Sequence, residues 1–141
     1  MLVAVRLSAG LWKGDILNKR AVGKRYEEIA CLYMQERGFR TLELNFRCRQ
    51  GEIDIIGYDG EYLVFAEVKY RMTGCFGHAA EAVTVTKQKT ICRVADYYRY
   101  KHGIGDSRPI RYDVVAIDGT GGNLRTIWYK NAFYHISPRR Q

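Results

Sequence analysis

Residues 51–71 read Gly51-Glu52-Ile53-Asp54-Ile55-Ile56-Gly57-Tyr58-Asp59-Gly60-Glu61-Tyr62-Leu63-Val64-Phe65-Ala66-Glu67-Val68-Lys69-Tyr70-Arg71, and this stretch decides the fold. Two apolar runs flank Asp59-Gly60, a dipeptide that favours the positive backbone angles of a two-residue hairpin turn. The pattern predicts one strand over about Glu52 to Tyr58 and another over about Glu61 to Tyr70. Strand side chains alternate between faces, so Glu52, Asp54 and Ile56 are expected on one face of the first strand. Phe65, Glu67, Lys69 and Arg71 are expected on one face of the second, with Val64, Ala66, Val68 and Tyr70 on the other as core. If the turn pairs Tyr58 with Glu61, Asp54 lies near Phe65, one diagonal step from Glu67. Such diagonal neighbours are about 7–8 Å apart.

Working outward, a strand over about Phe39 to Cys48 precedes the pair, joined to it by Arg49-Gln50-Gly51. Before it, Tyr26, Ile29, Ala30 and Tyr33 form a helical stripe, and Gly38 is placed to end a helix over about 19–37. After the pair, Gly74 and Gly77 open a loop, and Ile91, Val94, Ala95 and Tyr98 mark a second helix over about Thr86 to His102. Strands over about Ile110 to Ile117 and Leu124 to Tyr134 complete the order α-β-β-β-α-β-β. A helix that carries the chain from the third strand to the fourth implies a crossover, hence an α/β sandwich built on a mixed sheet of about five strands with helices on its faces. The organisation expected is an N-terminal extension over 1–18, a single domain over 19–136 and a solvated tail over 137–141.

Composition narrows the function classes. The 141 residues suit one domain, and 47% hydrophobic with 27% charged residues argues against disorder. Lys and Arg number 23 against 15 Asp and Glu, a formal charge of +8 that favours a polyanionic partner such as nucleic acid. The four cysteines, Cys31, Cys48, Cys75 and Cys92, show no zinc-ligand spacing and read as reduced thiols of a cytoplasmic protein. No run is long and apolar enough to predict a membrane span, and residues 1–15 make a poor signal peptide.

Two carboxylates and an ammonium set among apolar residues are costly to bury without partners. A divalent cation is a natural one. Mg²⁺, or Mn²⁺, needs few hard oxygen ligands and leaves positions for a substrate phosphate. Asp54 and Glu67 are therefore candidate metal ligands of a phosphodiester hydrolase, with Lys69 placed to stabilise developing charge or to help deprotonate the attacking water. Arg71, Lys87, Lys89 and Arg93 are candidate phosphate contacts. For Tyr97, Tyr98 and Tyr100, core or interface packing is the expected use, with stacking on unpaired bases as the alternative. His102 and His135 carry no pattern, and no Ser-His-Asp set or phosphate-binding glycine loop is present.

The arrangement Asp54 … Glu67-Val68-Lys69 resembles the PD-(D/E)xK nuclease superfamily, with Ile53 where that name has proline. A closer resemblance is to the bacterial YraN-like family of predicted endonucleases. It runs through Gly23, Glu27 and Ala30, then Asn45-Phe46-Arg47, Gly51-Glu52-Ile53-Asp54, Glu67-Val68-Lys69, Lys87 with Ala95, and Arg111-Tyr112-Asp113, covering about residues 20–118. Tyr26 departs from the family's usual glycine. The resemblance implies a restriction endonuclease-like sandwich and a metal-dependent endonuclease acting on DNA, with selectivity for branched or single-stranded forms as one option. It also implies that Glu27 completes the metal shell, with Glu28 as a competitor. A nucleic-acid-binding module with this fold but no cleavage fits the same residues, as does, more weakly, a metal-free interaction protein. Cutting both strands would suit a homodimer, although no dimer surface is legible.

Overall fold

A computed structural model describes residues 19–71, 83–120 and 122–139. Helix α1 spans Lys19–Gln35, and strands β1 (Arg40–Cys48), β2 (Gly51–Asp59) and β3 (Tyr62–Arg71) follow it. Helix α2 (Val85–Lys101) then leads to β4 (Ile110–Thr120) and β5 (Asn123–Phe133). The five strands form one sheet in sequence order, antiparallel except where β3 and β4 run parallel. The expected mixed α/β architecture and element order are thus both present. Residues 1–18 (the expected extension), the glycine-opened loop with Cys75 and His78, and the last two residues lie outside the described residues.

The helix ends follow from local chemistry. Gly38, at φ +91°, turns the chain out of α1. Phe39 N–H then bonds back to Met34 O at 3.1 Å and Gly38 N–H to Gln35 O at 3.0 Å, closing a Schellman motif. At the start of α2 the Thr84 hydroxyl accepts the Lys87 N–H at 3.2 Å, a side-chain N-cap.

Each face of the sheet carries its own core. On one side α1 contributes Tyr26, Ile29, Ala30 and Met34, packed on Ile55, Val64, Ala66, Val115 and Ile117. On the other, α2 contributes Ile91, Val94, Ala95 and Tyr98, packed on Phe46, Ile53, Ile56, Phe65 and Val114. The central strands are covered on both faces, so Phe65 is as deeply buried as Val64.

Two expectations need correction. The hairpin loop is Gly60-Glu61, with Gly60 at φ +58° and Asp59 paired to Tyr62, not the Asp59-Gly60 loop expected. The ladder shifts by two residues, which preserves the faces but moves Asp54 from Phe65 to Glu67. Strict alternation in β2 also fails. Ile53 and Ile56 both pack on the α2 side while Ile55 packs on the α1 side. The paired strand β1 shares the irregularity, because Asn45, the residue across from Asp54, lies at φ +52°. Asn is among the few side chains that tolerate this region. The two strands change face together at Asn45 and Asp54, so the expectation that Asp54 shares a regular face with Ile56 does not hold.

A buried ion network locks the β4–β5 pair. Asp113 is fully buried. It accepts Arg111 Nε and Nη2 at 2.9 and 2.8 Å, Trp128 Nε1 at 2.8 Å and the Asn131 backbone N–H at 2.9 Å. A register shift between Tyr112 and Val114, with Asn131 at φ +57°, brings that N–H inward. Arg111 also reaches Asp59 at 2.7 Å, and Lys130 closes on the same carboxylate at 2.9 Å. Burial alone would raise the Asp59 pKa, but the hydrogen bonds from Arg111 and Lys130 outweigh it and hold the carboxyl below its ordinary value.

Candidate active site

The β2–β3 ladder ends at Ile55 and Ala66. One residue further along that register, Asp54 and Glu67 face each other where the strands part. The Asp54 carboxylate takes the backbone donor left there, accepting Val68 N–H at 2.8 Å. Asp54 thereby sits in the gap between strands, within reach of both faces of the sheet.

Glu67 is 6% exposed and points to the α2 side. Its Oε1 lies 3.8 Å from Lys69 Nζ and 3.7 Å from Lys87 Nζ. Its Oε2 is buried with no hydrogen-bond partner among the described residues. Burial, followed by the charge of Asp54, pushes the Glu67 pKa up to about 8, against the pull of Lys87 and Lys69. Burial also raises Asp54, partly offset by the hydrogen bond from the Val68 N–H.

Glu27 approaches from α1. Burial raises its pKa, the Asn45 side chain bonds to it and lowers it, and the Asp54 carboxyl raises it again. Glu28 is exposed. Tyr26, the residue before Glu27, stacks on Tyr70, the residue after Lys69, with ring centroids 3.7 Å apart and planes 14° apart. Tyr70 in turn donates its hydroxyl to Gly119 O at 3.1 Å. The bulk of Tyr26 therefore ties α1 to β3 beside the site.

The structure brings Asp54, Glu67, Lys69 and Glu27 together, as expected. It also adds two residues. Lys87, expected only as a phosphate contact, reaches Glu67 from the first turn of α2, and Asn45 links Glu27 to the kink in β1. The positive-φ tolerance of Asn was the one available sequence signal for Asn45. Lys89 and Arg93 are exposed along α2, and Arg71 is exposed at the end of β3. Tyr98 is core as expected, whereas Tyr100 is 85% exposed. His135, which carried no pattern in the sequence, contacts Asp96 at 2.9 Å.

Among the described residues no three Asp, Glu, His or Cys side chains form a metal cage. The fit is instead to a cation that takes one or two carboxylates and leaves its other positions to water and phosphate, as Mg²⁺ does. The unpartnered Glu67 Oε2 is the atom that such a cation would satisfy. A closed zinc site would need a fuller donor set. No described helix is long and apolar enough to cross a membrane.

These features define a mixed α/β protein with a carboxylate pair, flanked by two lysines, at a fork in its central sheet. The chain belongs to the uncharacterised protein family UPF0102, whose model matches residues 26–117. It is 41% identical over 114 residues to a UPF0102 protein of Nitrosococcus oceani, covering 81% of this chain and 92% of that one. A UPF0102 protein of Legionella pneumophila is 40% identical over 111 residues, covering 79% and 92%. One of Vibrio vulnificus is 39% identical over 118 residues, covering 83% and 95%. The matched residues 26–117 take in Glu27, Asn45, Asp54, Glu67, Lys69 and Lys87 alike.

Proposed function

We propose that this protein is a divalent-metal-dependent endonuclease of the PD-(D/E)xK type that hydrolyses DNA phosphodiester bonds. The observation that carries the reading is the buried, unpartnered oxygen of Glu67 facing Asp54 across the parted strands, with Lys69 and Lys87 within 4 Å of the same carboxylate. No described residue satisfies that oxygen, and an unmet buried polar atom costs about 1–3 kcal/mol. An external cation explains why it is kept. The formal charge of +8 supports a polyanionic substrate.

Asp54 and Glu67 would hold Mg²⁺ or Mn²⁺, which when bound supplies charge neutralisation on the phosphate and a more acidic water. The chain's own groups do the rest. The Val68 N–H fixes the Asp54 carboxylate, so its aim does not depend on a flexible rotamer. Lys69, about a third exposed, presents its ammonium between Glu67 and solvent, where a phosphate oxygen gains negative charge as the P–O bond breaks. Lys87 adds a second cation from α2. Glu27 brings a further carboxyl beside Asp54 from α1.

The test is cleavage of labelled duplex, single-stranded, flapped and four-way DNA in Mg²⁺ or Mn²⁺. Asp54→Asn and Lys69→Ala are each expected to lower the cleavage rate by about 10²–10³-fold, the scale of losing one preorganised electrostatic group, with the fold intact by circular dichroism. If both variants cut as well as the parent, the assignment is wrong. Salt-sensitive DNA binding with no cutting on any substrate would leave a binding module on this fold.

A further inference from the structure

Away from the carboxylates, the outer side of α2 carries a cleft of about 410 Å³ lined by Gln50, Arg93, Asp96, Tyr97, Tyr100 and Pro138. Arg93, Tyr97 and Tyr100 are spaced four and three residues apart, so they form one stripe along the helix. Three observations say what kind of ligand suits it. Tyr97 is 37% exposed and its ring is braced by Phe46 at 6.3 Å with planes 28° apart, which holds a flat surface toward the cleft. Tyr100 presents most of its ring to solvent and is the most exposed of the large hydrophobic side chains described. Arg93 is exposed and forms no ion pair with a described residue, so its charge is available.

The cleft wall is also built and held. The chain after β5 folds back over α2, with Ile136 N–H bonded to Cys92 Sγ at 3.4 Å and His135 on Asp96 at 2.9 Å. That places Pro138 on the cleft and engages the one acid in its lining. Aromatic faces beside a guanidinium that pairs with no described residue, on a chain of net charge +8, match an anionic strand with exposed π-faces; an acidic peptide would use the charge but leave the two flat faces unused.

We infer that this cleft binds unpaired nucleotides of single-stranded DNA, with a base stacked on Tyr100 and Tyr97 and the backbone phosphate on Arg93. The inference deepens the nuclease reading and rests on it for the substrate. Arg93 lies six residues beyond Lys87 on the same helix, an axial rise of about 9 Å, and Tyr100 about 20 Å beyond it. Lys89 shares the face of Arg93, and Lys87 lies about 120° round the helix from it, so a strand of a few nucleotides that runs along α2 past Lys89 and turns round its first turn would lead from the cleft to the carboxylates. The substrate class named is therefore DNA with an unpaired segment next to the bond that is cut.

The test measures binding with no divalent metal present. Fluorescence anisotropy follows a labelled oligothymidine of about sixteen residues, the upper range of one single-strand site, beside a duplex of equal length. Tyr100→Ala is expected to weaken single-strand binding about 5- to 150-fold while leaving duplex binding within about twofold. Tyr100→Phe keeps the stacking face and is expected to bind like the parent. Arg93→Ala is expected to weaken binding and to lower the salt slope by about 0.7. Thermal melting by circular dichroism confirms the fold of each variant. If Tyr100→Ala and Arg93→Ala bind the oligothymidine like the parent, or the parent does not bind it, the inference is wrong. Because chelator is present, a protein that binds through Tyr100 yet never cuts DNA sinks the nuclease reading alone, and one that cuts but ignores these substitutions sinks this inference alone.

Discussion

The two groups of buried carboxylates in this sheet are built on opposite plans. At Asp113, four donors from Arg111, Trp128 and the Asn131 backbone meet one carboxylate, and Arg111 goes on to Asp59, which Lys130 also reaches. At Glu67, two lysines stand at the loose distances of 3.7 and 3.8 Å, one oxygen has no partner and the neighbouring group is another carboxyl. Both groups are nearly closed to water. The first is complete as folded, so its charge contributes to stability. The second is only partly compensated: its lysines stand off at those distances and Asp54 lies beside it, so burial still disfavours its charged form. Charge burial alone does not separate a structural site from a functional one; the difference lies in whether the donors are already supplied.

That contrast is open to attack from both sides. The largest expected effect on stability is at the complete site. Asp113→Ala leaves Arg111 buried beside a cavity and is expected to cost about 3–5 kcal/mol in urea unfolding. A loss below about 1 kcal/mol would mean that the network is incidental.

Glu67→Gln should behave the other way. The folded carboxyl binds its proton more tightly than the ordinary value of 4.5, with a pKa of about 8. Its contribution is therefore fully present below that ordinary value and is lost as pH rises through about 8. The substitution removes this loss, so the metal-free variant is expected to exceed the parent in stability by about 1–3 kcal/mol at pH 8 and to match it near pH 5. Added Mg²⁺ should raise the melting temperature of the parent and not of the variant. A parent that stays equally stable relative to Glu67→Gln across this range would contradict the reading of an unsatisfied site.

The smallest effect is expected at Asp59, whose folded pKa lies below its ordinary value. Its contribution is present above the unfolded carboxylate pKa and is lost as pH falls through the lower folded one. Asp59→Asn should lower stability by about 1 kcal/mol at neutral pH, with the difference vanishing in acid. Equal losses at pH 7 and pH 2 would show that shape rather than charge is at stake.

Much of the architecture was legible because it is written in local periods. The stripe from Tyr26 to Tyr33, the alternation around Val64 to Val68 and the turn-forming Gly60 mark elements that the structure contains. The shared face of Glu67 and Lys69 followed from strand parity, and the nearness of Asp54 followed from the hairpin even though the turn shifts by two residues and the expected face of Asp54 does not hold. What was not legible arises from contacts distant in the chain or from a single unusual residue. Lys87 reaches Glu67 across twenty positions, from the first turn of α2. The change of face at Asp54 depends on the backbone angle of Asn45 in another strand. The completeness of the Asp113 network depends on a bulge in β5 that no alternation pattern announces.

The stack of Tyr26 on Tyr70 has a further bearing on α1. An α-helix turns about 100° per residue, so adjacent positions look in widely different directions. A large flat ring seated on a strand acts as a key that sets the rotational phase of the helix. With Tyr26 seated, Glu27 is delivered to Asp54 and Glu28 is turned out to solvent. The choice between two chemically identical neighbours is thus made by an aromatic contact that carries no charge.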